Sequence, residues 1–251
     1  GVSAASVLHL AWARLVAAAS GNDCVVLGTV LLGRLQGGAG ADRGLGMFIN
    51  TLPLRLDLQG LGVRAGVRQA HQRLSALLVH EHSSLALAQR CSGVAAPTPL
   101  FSAMLNYRHG ASQPEQQAQR EALEGIQALP SGGHGNYPLS VNVDDLGDGL
   151  RLTAQVSAQV GAQRVCDQLL QVLHGLLDAL EHAPDTPVQQ LPVLTPDERR
   201  RLLANAPQTP HDVAQPLHGL FEAQVRRTPN AIALVAEDGE LSYRQLDEQA
   251  N

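Results

Sequence analysis

The run His80-Glu81-His82 brings together two imidazoles and a carboxylate, side chains that commonly bind metal ions in proteins. The two histidines are two positions apart, which turns them to different sides of a helix, whereas a helical zinc pair is four positions apart. We therefore expect no metal site here. The simpler interpretation is a polar helix end near a contact with another part of the protein.

A second group of polar residues, Asn50 and Thr51, interrupts the apolar run 46–58. The alternation that follows Pro53 predicts a strand with one buried face and an irregular middle. Buried amides and hydroxyls need hydrogen-bond partners. Asn50 and Thr51 therefore either bond to nearby backbone or face a cavity. Arg55, on the outer face, either contacts a carboxylate at an interface or is solvated.

Other carboxylates and glycines form no further catalytic pattern. Asp144 and Asp145 precede a Gly-Asp-Gly sequence and Asp148 is its middle residue, an arrangement typical of a hairpin turn rather than of an acid/base pair. The glycines within residues 37–46 suggest a phosphate-binding loop, but the chain contains no lysine and no strand leads directly into a helix there. We expect a surface loop at this position.

Charge, cysteine content and hydrophobicity exclude several classes of protein. The 251 residues carry a net charge of −5, and all 18 cationic side chains are arginines. This balance argues against nucleic-acid binding and excludes a Schiff-base lysine. Cys24, Cys91 and Cys166 are isolated, so we expect neither disulfides nor a zinc site. No apolar run reaches the roughly 18 residues of a membrane span. We expect a cytoplasmic protein, and the missing initiator methionine indicates a piece of a longer chain.

Hydrophobic periodicity predicts an α/β architecture. Helices are predicted at residues 6–20, 63–78 and 163–181, and strands at residues 24–32, 46–58, 100–107, 137–146 and 150–160. The first strand is almost continuously apolar, which favours a strand covered on both faces. We expect Trp12 and the apolar faces of the second and third helices to pack on one mixed sheet containing Leu27 and Leu54.

The composition changes after residue 182. Residues 183–215 contain six prolines and are predicted to form a semi-rigid interdomain linker. Within this linker, Thr195 and Glu198 form a capping box around Pro196, which predicts a short helix.

A new unit is predicted at residues 216–251, with a helix at 217–227, a strand at 231–237 and a turn at Asp238-Gly239. About 35 residues cannot bury a core alone. We therefore expect this unit to be the start of a larger domain.

The motifs along the chain resemble those of one known family. Residues 46–55 resemble the Phe-Val-Asn-Thr-Leu-Pro-Leu-Arg signature of condensation domains in non-ribosomal peptide synthetases. Similar matches to the same family, in their usual order, occur at residues 25–34, 80–89 and 99–108. These stretches are most similar to the dual epimerisation/condensation subtype. Residues 217–229 and 241–246 resemble the opening of an adenylation domain.

This resemblance implies a fold and a division into domains. The expected fold is a chloramphenicol-acetyltransferase-like lobe with a mixed sheet covered by amphipathic helices, then a linker and a truncated second domain. The expected domains are the C-terminal lobe of a condensation domain (1–182), a proline-rich linker (183–215) and the start of an AMP-binding adenylation domain (216–251).

The family's catalytic motif is absent from the sequence. Condensation domains carry His-His-x-x-x-Asp-Gly in the N-terminal lobe, and no two histidines are adjacent in this chain. We therefore expect the chain to start after the catalytic histidine, to contain no catalytic residue and to catalyse no condensation by itself.

The resemblance also suggests site residues. Asn50 and Thr51 are candidates for the wall of the substrate tunnel. Candidates for a structural or lobe-interface role are Arg34, Arg55, Asn106 and Tyr107. Leu32 stands where many condensation domains carry a serine that could polarise a carbonyl, a role that leucine cannot perform.

The intact enzyme, by this resemblance, joins two substrates held as thioesters on the 4′-phosphopantetheine of carrier proteins. Its expected partners are carrier domains upstream and downstream, the N-terminal lobe, and the rest of the adenylation domain, which would use ATP and Mg²⁺. The chain itself is expected to bind no cofactor and no metal. Two other functions stay open: a non-catalytic module that docks carrier proteins, and a complete small acyltransferase, which would need a histidine base.

Overall fold

The computed structural model divides the chain into two compact units, Gly1–Arg200 and Arg201–Asn251. The residues that it describes are 1–34, 45–109, 125, 135–205, 216–236 and 239–250, with only the backbone of Leu217. Several predicted features lie outside these residues: most of the glycine-rich loop after residue 34, most of the excursion at 110–135, the end of the linker at 206–215, and Asp238 of the last turn.

The first unit is built on one five-stranded sheet with helices between the strands. Its helices are α1 (Ala4–Ser20), α2 (Val63–Leu78), α3 (Leu85–Cys91), α4 (Ala162–His182) and α5 (Pro196–Ala204), the last of which begins in this unit and ends four residues beyond Arg200. Its strands are β1 (Cys24–Leu31), β2 (Asn50–Asp57), β3 (Ala103–His109), β4 (Leu139–Asp145) and β5 (Leu150–Val156). The strand order is β2-β1-β3-β4-β5. The central strands β1, β3 and β4 are parallel, and the edge strands β2 and β5 are antiparallel to their neighbours.

The hydrophobic core lies between one face of the sheet and the three long helices. Trp12 of α1 is fully buried and belongs to the same apolar cluster as Leu27 of β1 and Leu54 of β2. Val67 of α2 and Leu169 of α4 complete this cluster from the other helices. The predicted packing of these helices on one mixed sheet is confirmed.

The opposite side, which we call the open face, carries Val26, Gly28 and Val30 of β1. Val26 and Val30 are partly exposed there. The prediction that β1 is covered on both faces was therefore wrong at Val26 and Val30, because α1, α2 and α4 all pack on the other face. Part of the open face is covered by Phe101. A Cβ atom at Gly28 would come within 2.3 Å of the Phe101 ring, so glycine is required for this contact.

The strand predicted at 46–58 is shorter than expected, because β2 begins only at Asn50. Residues 45–49 approach the end of β1 as irregular, exposed chain, with Met47 91% and Ile49 59% exposed. Gly33 has a φ of +66°, and a Cβ atom there would lie 2.1 Å from the Phe48 carbonyl oxygen. Glycine therefore permits this close approach of the two segments.

The first half of the predicted linker packs against the first unit. Val188 and Leu191 are buried, at 0% and 3% exposure. The Arg14 guanidinium of α1 donates to the carbonyls of Gln189 and Leu191 at 2.8 and 2.9 Å. Several backbone hydrogen bonds join residues 184–188 to residues 61–64.

Helix α5 is also attached to the first unit. As predicted, the Thr195 hydroxyl accepts a hydrogen bond from the backbone N–H of Glu198, at 3.2 Å. The largely buried Glu198 carboxylate accepts hydrogen bonds from Arg164 and Gln168 of α4, at 2.5 and 2.9 Å. The domain boundaries at 182 and 215 stay predictions.

The second unit contains α6 (Leu217–Arg227), β6 (Ile232–Ala236), β7 (Gly239–Ser242) and α7 (Tyr243–Ala250). The two strands pair antiparallel, and the rings of Phe221 and Tyr243 lie 6.1 Å apart. Among the residues described in this unit, none is buried, and Ile232 and Val235 are 57% and 69% exposed. No helix within the described ranges is both long and apolar enough to cross a membrane.

Candidate functional site

The C-terminal ends of the parallel strands β1, β3 and β4 meet at one edge of the sheet, together with the N-terminal ends of β2 and β5. We call this the motif edge; its marker residues are Leu31, Asn50, His109, Asp145 and Leu150. Ligands of open α/β sheets commonly bind beyond the C-terminal ends of parallel strands. Five of the six candidate residues lie toward this edge, and the sixth, Arg55, lies toward the opposite edge.

Asn50, the first residue of β2, is held on three sides by backbone. Its side-chain amide donates to the carbonyls of Glu81 and Ser83 at 2.9 and 2.7 Å. Its side-chain oxygen accepts from the backbone N–H of Thr51 at 2.9 Å. The amide therefore joins β2 to the turn that follows α2, which is the structural role considered from the sequence. Its predicted place on a tunnel wall stays a prediction.

Thr51 lies on the open face, directly across from Val30 of β1. It is half-buried, and its hydroxyl has no hydrogen-bond partner among the residues that the structure describes. This hydroxyl is free to meet a ligand on the open face, in contrast to the fully bonded Asn50 amide. A substrate-tunnel role for Thr51 stays a prediction.

Asn106 of β3 faces Asn142 of β4 across the parallel pair. The side-chain amide of Asn106 donates to the side-chain oxygen of Asn142 at 3.0 Å. Both residues are half-buried on the open face. This bond links the two central strands close to the motif edge.

Tyr107 and Arg108 make two further contacts between β3 and β4, on opposite faces of the sheet. The Tyr107 hydroxyl donates to Asp145 at 2.6 Å on the helix-covered face. Burial of the phenol, followed by the hydrogen bond to Asp145 and the charge of that carboxylate, raises the pKa of Tyr107 to about 12. Tyr107 is therefore a neutral hydrogen-bond donor at neutral pH. On the open face, the Arg108 guanidinium is paired with Asp144 at 2.7 Å.

The two arginine candidates lie at opposite edges of the sheet. The Arg34 guanidinium is 4.9 Å from the centre of the Phe48 ring, which connects the two segments that flank the motif edge. Arg55 is exposed, and its Nε donates to the Cys24 sulfur at 3.0 Å, with Asp57 3.9 Å away. The hydrogen bond to Cys24 raises the pKa of Arg55. Interface roles for both arginines stay predictions.

The His80-Glu81-His82 run forms a turn after α2, so the helical geometry assumed from the sequence was wrong. The Glu81 side chain is fully buried, and its carboxylate lies 3.6 Å from the His82 imidazole. Throughout the described part of the chain, no three His, Cys, Asp or Glu residues are grouped as metal ligands.

Sequence reasoning missed Asn142 and did not foresee the contacts of Asp145 with Tyr107 and of Glu81 with Asn50. The contacts of Asn142 and Asp145 can be deduced from the register of β3 and β4, which places these residues beside Asn106 and Tyr107. The aligned polar residues of the two strands were a usable signal once the strands were paired. The complete burial of Glu81 gave no comparable signal, because a carboxylate in a turn is usually solvated.

Comparisons with known proteins identify the class to which this arrangement belongs. The family model for the condensation domain matches residues 1–203. The mixed sheet and its helices match a four-domain non-ribosomal peptide synthetase bound to AMP and glycine, with a TM-score of 0.60, 17% identity, and coverage of 98% of this chain and 20% of that one. The first condensation domain of the calcium-dependent antibiotic synthetase matches 76% of this chain and 41% of its own, with a TM-score of 0.54 and 22% identity. The fold is therefore that of condensation domains.

Sequence relatives give the same family. The chain is 48% identical over its whole length to malpibaldin synthetase of Mortierella alpina, of which it spans 4%. It is 30% identical, over 98% of its length, to N-(5-amino-5-carboxypentanoyl)-L-cysteinyl-D-valine synthase of Amycolatopsis lactamdurans, of which it spans 7%. The chain belongs to the condensation-domain family of non-ribosomal peptide synthetases.

Proposed function

We propose that this chain is the C-terminal lobe of a condensation domain whose intact form joins two carrier-tethered substrates by a peptide bond. The observation that carries the proposal is the condensation-domain match over residues 1–203. The α-amine of the acceptor attacks the donor thioester carbonyl, the carbon–sulfur bond breaks, and the donor carrier's thiol is released. The proton lost by the amine passes to a base outside this chain.

Most of the rate in this proposal comes from positioning. Two substrates held on carrier domains meet at a high effective molarity. Stabilisation of the developing oxyanion adds to the rate. The histidine motif of the family is absent here, so the chain supplies part of the substrate-binding surface and no general base.

The proposed partners are the carrier domains on either side, the N-terminal lobe and the remainder of an adenylation domain. The start of that adenylation domain is assigned to residues 216–251. Its support is the sequence resemblance, together with the exposed apolar residues of β6, which a larger domain would cover. ATP and Mg²⁺ would be bound by adenylation residues beyond this chain, and phosphopantetheine by the carriers. The reduced, isolated cysteines favour a cytoplasmic location.

The subtype is proposed to be the dual epimerisation/condensation form, on the strength of residues 32–34 and 101–109 alone. A complete module of this subtype would first invert the α-carbon of the donor. Incubation in D₂O would then place deuterium at that carbon. A dipeptide without deuterium and with unchanged configuration would contradict the subtype and leave the condensation function intact.

The proposal is tested with the synthetase module that contains this chain and with its two loaded carriers. We expect dipeptidyl product on the downstream carrier, detected by mass spectrometry. A module that binds both carriers and forms no peptide bond would support the alternative of a docking module. Peptide formation by residues 1–251 alone would show a self-sufficient acyltransferase.

A further inference from the structure

Five residues form a neutral row across the open face, one from each strand. Thr51 pairs with Val30, and Asn142 pairs with Asn106 on one side and Thr153 on the other. The register of β1 and β3, extended by one residue, places Val30 beside Asn106. Neighbouring strands are about 4.8 Å apart. The row therefore runs without a charge from Thr51 on one edge strand to Thr153 on the other.

The centre of this row has unused hydrogen-bonding capacity. The single bond from Asn106 to Asn142 leaves the side-chain oxygen of Asn106 and the amide of Asn142 without another side-chain partner among the described residues. One acceptor and one donor therefore lie side by side. If both side-chain amides are flipped by 180°, one acceptor and one donor still remain unused, but Asn106 then supplies the donor and Asn142 the acceptor. This combination is complementary to the N–H and C=O of one secondary amide.

The neighbours of the row favour a neutral ligand. On one side, Arg108 is already neutralised by Asp144 at 2.7 Å. On the other side, the stacked rings of Phe101 and Tyr137, 5.2 Å apart, give an apolar border. Below the row, the fully buried Ser140 hydroxyl lacks a hydrogen-bond partner in the described structure. An amide-bearing chain would find both polar and apolar contacts beside the row.

We propose that Asn106 and Asn142 bind a secondary amide of the carrier-tethered substrate chain. The substrate N–H donates to the side-chain oxygen of Asn106, and the substrate C=O accepts from the side-chain amide of Asn142. The pair fixes the position of the tethered chain on the open face. This assignment rests on the proposed condensation function and gives its substrate surface a chemical specificity for amides.

The test replaces substrate amides with esters, one at a time, in the complete synthetase module. One set of carriers has an ester in the pantetheine arm, and a second set has an ester in the aminoacyl or peptidyl part. An ester removes the N–H donor, so the unmodified module should prefer the amide at one position by about fivefold in single-turnover rate. The position at which the preference occurs identifies which part of the tethered chain is bound.

The variants Asn106→Val and Asn142→Val should reduce this preference to about onefold. Valine is used because it is favoured in strands. Each amide-to-ester ratio is measured within one protein preparation, so a smaller amount of folded protein lowers both rates equally and leaves the ratio unchanged. Tyr107→Phe is the matched control, because it removes a bond between the same two strands on the covered face. The control should keep the fivefold preference.

An equal amide-to-ester preference in the unmodified module and in both Asn variants would overturn the assignment. Variants too unstable to assay are replaced by Asn106→Ser and Asn142→Ser, which should lower the preference in the same direction. Failure of the unmodified module to form any peptide from the all-amide substrates would instead refute the proposed function, and this assignment with it.

Discussion

Replacing Asn50 with alanine should destabilise the first unit by about 2 kcal/mol. The Asn50 amide donates two hydrogen bonds to backbone carbonyls, at 2.9 and 2.7 Å. Each such bond contributes about 1 kcal/mol net. The third contact, to the backbone N–H of Thr51, adds to this value. In a unit of this size, the loss corresponds to a lowering of Tm by about 4–8 °C.

Urea unfolding followed by tryptophan fluorescence measures this change directly. Trp12 is the only tryptophan and is fully buried in the first unit, so its emission reports on that unit alone. Thr51→Val is the matched control, because the Thr51 hydroxyl makes no hydrogen bond with the described residues; it should change stability by less than about 0.5 kcal/mol. Equal stabilities for Asn50→Ala and the unmodified chain would refute the structural role of this amide.

Two further predictions concern the core and the domain boundary. Burial lowers the pKa of His9 from 6.5 to about 4. As the pH falls, the unfolded chain therefore takes up the proton at a higher pH than the folded chain does. Stability should therefore be full above about pH 6.5 and fall by about 3 kcal/mol as the pH drops to 4, a loss that His9→Gln removes in urea titrations. A chain ending at His182 should be less stable in the same assay than one ending at Asn205, by about 3–6 kcal/mol, because it lacks the buried side chains of Val188 and Leu191.

The exposed His174 provides the control for the histidine prediction, because His174→Gln should keep the acid-dependent loss of stability. An identical pH slope for His9→Gln and the unmodified chain would contradict the assignment. For the shortened chains, equal unfolding free energies would place residues 183–205 outside the packed unit.

The fold was largely predictable because periodicity reports which side of an element is buried. The apolar spacing of α2 and α4 and the alternation after Pro53 correctly indicated one mixed sheet with helices. The coverage of β1 was not predictable from its apolar run. Val26 and Val30 lie on a face that the long helices do not cover, and a continuous apolar sequence does not distinguish one covered face from two.

The candidate site was less predictable, because its contacts depend on pairing between distant strands. Asn106 was identified through a motif, but its partner Asn142 becomes evident only from the parallel register of β3 and β4. The turn at residues 79–82 was not predicted, because the spacing of its two histidines was interpreted on a helix. The hydrogen bonds that Asn50 donates there gave no sequence signal either, because they go to backbone carbonyls, which any sequence would supply.

The central claim is that this chain contributes a lobe of a peptide-bond-forming domain whose catalytic histidine lies elsewhere. The most direct test compares the complete module with residues 1–251 alone, each supplied with the same two loaded carriers, and measures dipeptidyl product by mass spectrometry. We expect product from the complete module and none above background from residues 1–251. Comparable product from the isolated chain would contradict this claim.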